Sequence, residues 1–217
     1  MTATQPEEPL LDLARQVGIA DAQDALGRLH RHRSHVVDLA SPDPGRLLFG
    51  PAVTMSFFPT CEESLPAATY NFADVFDEAV RGGARGAVLV MASNGYSNVS
   101  MGGGTKMSRL VGSGLAGVLA EGRLRDFGEL AGSGLAVYCR GEAVRWGGDT
   151  VTPFETNRPV VVSGVGIRPG DYIFAQGSSA ISIPRAQVRA VLDDARRTME
   201  SEARQAAEWS AGSGPDR

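Results

Sequence analysis

Apolar residues at Phe72, Val75, Phe76, Ala79 and Val80 recur at helical spacing, so residues 71–81 read as an amphipathic helix that Gly82-Gly83 ends. A continuous apolar run at 86–92, GAVLVMA, reads as a buried strand, and 115–120 repeats the pattern between glycines. Between these strands, residues 105–111 have the length and composition of a short helix, stopped by Gly112 and Gly114. Residues 127–134 suit another short helix and 135–139 another strand, so the middle of the chain is a succession of βα units.

The flanks carry weaker periodicity. Residues 10–17 suit a helical turn or two, and Asp21 is a fitting N-cap for a helix over 22–29. Strands are expected at 36–39 and 47–58, the latter with Gly50-Pro51 marking a bulge or an edge position. Residues 141–159 read as irregular, 160–165 and 172–175 as β-like around the turn Arg168-Pro169-Gly170-Asp171. Pro184 opens a long helix to about 209, amphipathic through Val188, Val191, Leu192 and Ala195. The expected architecture is one α/β domain over 10–209, a layered sheet flanked by helices, with a disordered stretch at 1–9 and a flexible tail at 210–217.

Composition narrows the function classes. A net charge of -4 argues against a nucleic-acid backbone as the main partner, and no apolar run approaches the roughly 20 residues of a membrane span. The first residues lack the basic and apolar regions of a signal peptide, and the two cysteines, Cys61 and Cys139, have no metal spacing, which suggests a cytoplasmic protein with free thiols. His30, His32 and His35 match neither one helix face nor a zinc spacing and read as part of a basic exposed loop.

The candidate chemistry lies between Ser100 and Glu129. Gly102-Gly103-Gly104 precede the short helix, and uncovered N–H groups at a helix N-terminus favour a carboxylate or phosphate. Arg125, after the second strand, offers a planar fork for the same anion, and Asp126 is a hard oxygen ligand suited to Mg²⁺ or Mn²⁺. In open α/β sheets ligands sit at the carboxyl ends of the strands, where Arg123-Leu124-Arg125-Asp126 falls.

Gly104, Arg125-Asp126 and Glu129 together reproduce the motif G-x20-R-D-x2-E/D. On that motif the chain resembles the family of RraA-like proteins and class II 4-hydroxy-4-methyl-2-oxoglutarate/4-carboxy-4-hydroxy-2-oxoadipate aldolases. Asp24-Ala25-Leu26, Gly50-Pro51-Ala52-Val53-Thr54, Arg168-Pro169-Gly170-Asp171 and Ile183-Pro184-Arg185-Ala186 resemble further family segments in the same order.

The resemblance implies a swivelling β/β/α type of fold and a homo-oligomer, a trimer or hexamer, with the site near a subunit boundary. It implies that Asp126 ligates Mg²⁺ or Mn²⁺, that Arg125 binds a small 2-oxo acid near its 2-oxo group, and that the backbone at Gly103, Gly104, Thr105 and Lys106 holds the carboxylate. The reaction implied is retro-aldol cleavage or decarboxylation through a pyruvate enolate. The chain departs from the family in lacking Glu after the first loop glycine, in carrying Glu121 where Asp is usual, and in carrying Gln176 near an acidic position. Glu121 and Glu129 are then the remaining catalytic carboxylates, with Glu200 or Glu202 as candidates from a neighbouring subunit. The alternative is a non-catalytic protein acting through protein contacts, as RraA itself does.

Overall fold

A computed structural model describes residues 8–30, 32–210 and 212, so most of the stretch expected to be disordered and most of the tail lie outside the described residues. The chain opens with helices α1 (Glu8–Ala14) and α2 (Ile19–Leu29), then strands β1 (His35–Val36) and β2 (Leu48–Pro59). The central units are α3 (Phe72–Val80), β3 (Val88–Ala92), β4 (Ser100–Gly102), α4 (Gly104–Gly112), β5 (Gly117–Ala120), β6 (Arg123–Leu124), α5 (Phe127–Gly132) and β7 (Ala136–Tyr138). Strands β8 (Val151–Thr156), β9 (Val160–Val162), β10 (Val165–Ile167), β11 (Tyr172–Gln176) and β12 (Ser179–Ile183) follow, and α6 (Val188–Ser210) closes the chain.

The main sheet runs β1-β12-β11-β2-β3-β5-β7, with β8 also paired to β2. Its β2, β3, β5 and β7 are parallel, and the β11, β12 and β1 side is antiparallel. Alternation along each strand divides the core into layers. Leu89 and Met91 of β3 join Val118 and Ala120 of β5 under α3, α4 and α5. Val88 and Val90 point the other way and pack with Leu119, Tyr138 and the β9–β10 hairpin. On the antiparallel side, Phe174, Ile181 and Ile183 pack against α1, α2 and α6. The result is a mixed α/β domain with a central sheet flanked by helices.

The helix over 71–81 is found as α3, capped by the Asn71 side chain, which accepts from the Asp74 N–H at 3.0 Å. Other expectations are corrected. Gly18, not Asp21, is the N-cap of α2, and Asp21 lies within its first turn. Gly50-Pro51 sits in the middle of the sheet and the irregularity in β2 falls at Ser56/Phe57. Proline is tolerated there because pairing with β3 begins only at Ala52, so no neighbouring acceptor loses a donor. Residues 141–159 contain β8, whose Pro153 lies opposite Phe57, beside that irregularity. β4, β6 and β12 have no counterpart among the expected strands. Of the three histidines, His30 is hydrogen-bonded to Gln187 and His35 begins β1.

Candidate active site

Two short parallel strands set the geometry of the glycine loop. β6 lies beside β4, with Ser100 opposite Arg123 and Gly102 opposite Leu124, and the Arg125 N–H continues the ladder to the Gly102 carbonyl at 2.9 Å. Residue 126 therefore emerges next to the start of α4. Its backbone is left-handed, φ 66 and ψ 42, a conformation that Asp tolerates better than most residues. Asp126 stands at the N-cap of α5 but makes no side-chain cap there. The Phe127 N–H is served by Glu142 Oε1 at 3.0 Å, which leaves the Asp126 carboxylate to turn to α4, where Oδ2 accepts from the Gly104 N–H at 2.9 Å.

Close approach explains the glycines. A Cβ on Gly103, whose φ of -155 is ordinary extended backbone, would run into the Asp126 carboxylate, and one on Gly104 would run into that of Glu129. The loop admits two carboxylates against its backbone because it carries no side chains there.

A cavity of about 150 Å³ opens at this point, lined by Ser100, Gly102, Gly103, Thr105, Lys106, Arg125, Asp126 and Trp146. The Gly104 amide is taken by Asp126 and the Lys106 amide donates to the Gly103 carbonyl at 3.0 Å. The Gly103 and Thr105 amides have no acceptor among the described residues and stand at the positive end of α4. Arg125 Nε lies 3.9 Å from Asp126 Oδ1, both side chains slightly over a third exposed, so neither group is consumed by the pair. The Lys106 ammonium sits 5.1 Å from the Phe72 ring centroid, and burial, reinforced by the Arg125 charge, pushes its pKa down.

The donor set bears on a metal. One carboxylate with an open oxygen is present, and the described residues contain no group of three or more His, Cys, Asp or Glu able to hold an ion. That set fits Mg²⁺ or Mn²⁺, which keep several waters and share positions with substrate, and does not fit structural zinc.

The other predicted residues are placed differently. Glu121 is buried, and its carboxylate accepts from the Ser93 N–H and Oγ at 2.7 and 2.8 Å and from the Ser163 N–H at 2.8 Å. It ties the loop after β3 to the β9–β10 turn and does not line the cavity. Glu129 is exposed on α5; its Oε2 and Asp126 Oδ2 both lie within 4 Å of the point where a Gly104 Cβ would stand. It lines a separate cavity with Met107 and Ser108. Glu200 and Glu202 are exposed on α6 and line none of this cavity.

Trp146 and Phe72 were not singled out as site residues by the sequence. The Gly147 backbone passes so close to the Ser100 carbonyl that a side chain would collide with it, and this brings the 59% exposed Trp146 to the site. Only the adjacent Gly147-Gly148 pair hinted at such an approach.

The RraA-like family model, described as Aldolase/RraA, matches residues 18–181. Protein DlpA of Legionella pneumophila is 25% identical over 175 residues, 81% of this chain and 27% of that protein. A Halalkalibacterium halodurans protein named "Putative 4-hydroxy-4-methyl-2-oxoglutarate aldolase" is 28% identical over 123 residues, 56% of this chain and 58% of that protein. The chain thus spans less than two thirds of the length of either relative. In fold, it is similar to Streptomyces coelicolor RraAS2, described as an unusual member of the RNase ES inhibitor RraA protein family, with a TM-score of 0.79 and 24% identity over 93% of this chain and 98% of that one.

Proposed function

The chain belongs to the RraA-like family, and from that premise we propose that it is a divalent-metal-dependent carbon–carbon lyase acting on a small 2-oxo acid. The observation that carries the reading is the convergence of the open Asp126 carboxylate, the Arg125 guanidinium and two unpartnered amides on one small cavity. In this reading Asp126 holds Mg²⁺ or Mn²⁺, which when bound supplies a Lewis acid for the 2-oxo group. The Gly103 and Thr105 amides and the α4 N-terminus hold the substrate carboxylate. Arg125 donates to the oxygen on which negative charge develops as the bond between the third and fourth carbons breaks, stabilising the pyruvate enolate that leaves. Glu129, flanking Asp126 across Gly104 and outside the cavity itself, is the solvent-facing carboxylate proposed to accept the C4 hydroxyl proton through an intervening water. Glu121 acts through position, fixing the loops on either side of the site.

The same reading includes a cytoplasmic homo-oligomer, a trimer or hexamer, with no nucleic-acid or membrane partner. Association is supported by α6, whose buried residues end at Ala195 and whose last turns carry Trp209 67% exposed. Among the described residues no helix is long and apolar enough to cross a membrane. Light scattering at micromolar concentration checks the assembly, and a monomer would contradict it.

A second reading, a non-catalytic protein acting by protein contact, draws on the likeness to RraAS2, whose family name is that of a ribonuclease inhibitor. Pyruvate release from 4-hydroxy-4-methyl-2-oxoglutarate, 4-carboxy-4-hydroxy-2-oxoadipate and oxaloacetate, with Mg²⁺ and again with EDTA, separates the two. Release above a protein-free control with the same Mg²⁺, abolished by EDTA, supports the lyase. No release from any of the three, nor from 4-hydroxy-2-oxo-4-phenylbutanoate, whose distal end is uncharged, would favour the contact protein.

A further inference from the structure

Beside the small cavity lies a larger one of about 470 Å³, and the two meet at Lys106 and Trp146, which line both. A substrate with its carboxylate at the α4 N-terminus and its 2-oxo group at Arg125 has this second cavity as an outlet for its distal end. We propose that the groove selects 2-oxo acids whose distal end is uncharged and apolar or aromatic, an inference that rests on the lyase reading of the adjoining site.

The walls carry the argument. Leu65, Tyr70, Phe72, Trp146, Val151 and Pro153 give the groove an apolar and aromatic lining. Its neutral polar groups are largely spent on the protein itself. Thr60 Oγ1 donates to the Gly148 carbonyl at 3.1 Å and shares a hydrogen bond with Thr152 at 3.0 Å, and Asn71 Nδ2 donates to Asp74 at 2.7 Å. The charged groups beyond Lys106 are acidic: Glu62, which forms no ion pair among the described residues, and Asp149, already paired with Arg145. A second carboxylate passing beyond Lys106 would thus leave water with no further cation among the groove's lining residues to receive it.

Lys106 does not reverse this conclusion. Its ammonium is already engaged with the Phe72 ring, 5.1 Å from the centroid, and burial, with the Arg125 charge added, lowers its pKa. A ring extending past that junction would meet the Trp146 and Tyr70 side chains instead. Aromatic contacts of this kind, added to the apolar area covered, discriminate strongly between a ring and a carboxylate.

The test is titration calorimetry of the full chain with Mn²⁺ present, using pyruvate, 2-oxoglutarate and 2-oxo-4-phenylbutanoate as probes. The phenyl compound is expected to bind about tenfold more tightly than 2-oxoglutarate, and Trp146→Ala to remove most of that ratio. Glu62→Lys, an exposed change, is expected to improve 2-oxoglutarate binding by about fivefold or less while leaving pyruvate unchanged. If pyruvate binds but 2-oxoglutarate equals or exceeds the phenyl compound, the groove proposal is overturned and the lyase reading stands. If none of the three binds, both fall together.

Discussion

Glu121 follows β5 and Asp126 follows the short β6 just after it, and both carry the same functional group. Their surroundings differ. The Glu121 carboxylate is buried and receives donors from Ser93 and Ser163 on both oxygens. The Asp126 side chain is 36% exposed, receives one amide, and keeps its other oxygen 3.9 Å from a guanidinium. A buried carboxylate that accepts on both oxygens, three donors in all, joins segments of chain and has little left to offer a ligand. One held by a single backbone donor is oriented but still able to bind a cation. The difference arises from Glu142 and Ser163, since Glu142 relieves Asp126 of capping α5 while the turn at Ser163 closes over Glu121.

The contrast breaks most visibly if Glu121 is removed. Glu121→Ala leaves three donors without an acceptor, each worth about 1–3 kcal/mol, so we expect a loss of about 3–5 kcal/mol in urea denaturation. A loss below about 1 kcal/mol would mean that the carboxylate is not a tie. Next in size is Arg125→Lys, which keeps the charge and loses the fork. Turnover is expected to drop roughly 10²–10³, or about 3–4 kcal/mol, while Mn²⁺ affinity is unchanged. A change within threefold would reduce Arg125 to one half of an exposed pair, worth at most about 1 kcal/mol.

Gly103→Ala sharpens the comparison from the other side. Its Cβ would displace the Asp126 carboxylate from the Gly104 amide, costing about 1.5–3 kcal/mol for a charge-assisted hydrogen bond. Thermal melts and Mn²⁺ titration should both register it, and a neutral variant would show that the carboxylate does not need that amide.

The smallest effect is expected at Asp194, a carboxylate that neither ties the core nor faces the site. Hydrogen bonds from Arg28 chiefly, with Arg197 adding to them, hold its pKa below the usual value. A lowered folded pKa gives stability that is present above the ordinary carboxylate range and is lost as pH falls through the depressed value. Because the side chains are 48% and 33% exposed, Asp194→Asn should cost at most about 1 kcal/mol at neutral pH. Melting both proteins across the acid range should show that difference shrinking; a difference that grew toward acid would contradict the assignment.

The parallel half of the fold was legible because its signals are local. The helical spacing from Phe72 to Val80 and the runs of β3 and β5 reflect burial that each segment reports for itself. The rest depends on partners. Gly50-Pro51 looked like an edge, but a proline is harmless wherever the neighbouring ladder starts one residue later. β8 hid behind Pro153, and β4 and β6 are too short to carry a periodicity. At the site, the spacing from Gly104 to Asp126 was visible, and the hydrogen bond between them gives that spacing a geometric basis. The burial of Glu121 was not visible, because Ser163 approaches from a distant hairpin, and neither was the approach of Trp146 across Ser100.

The central claim is that Asp126, unlike Glu121, is the carboxylate that binds a divalent cation. Calorimetric titration of Mn²⁺ into the wild type, Asp126→Asn and Glu121→Gln tests it without requiring the physiological substrate. The account predicts binding by the wild type and by folded Glu121→Gln with similar affinity, and none by Asp126→Asn, whose shape is kept and whose charge is gone. Wild-type affinity in Asp126→Asn would contradict it.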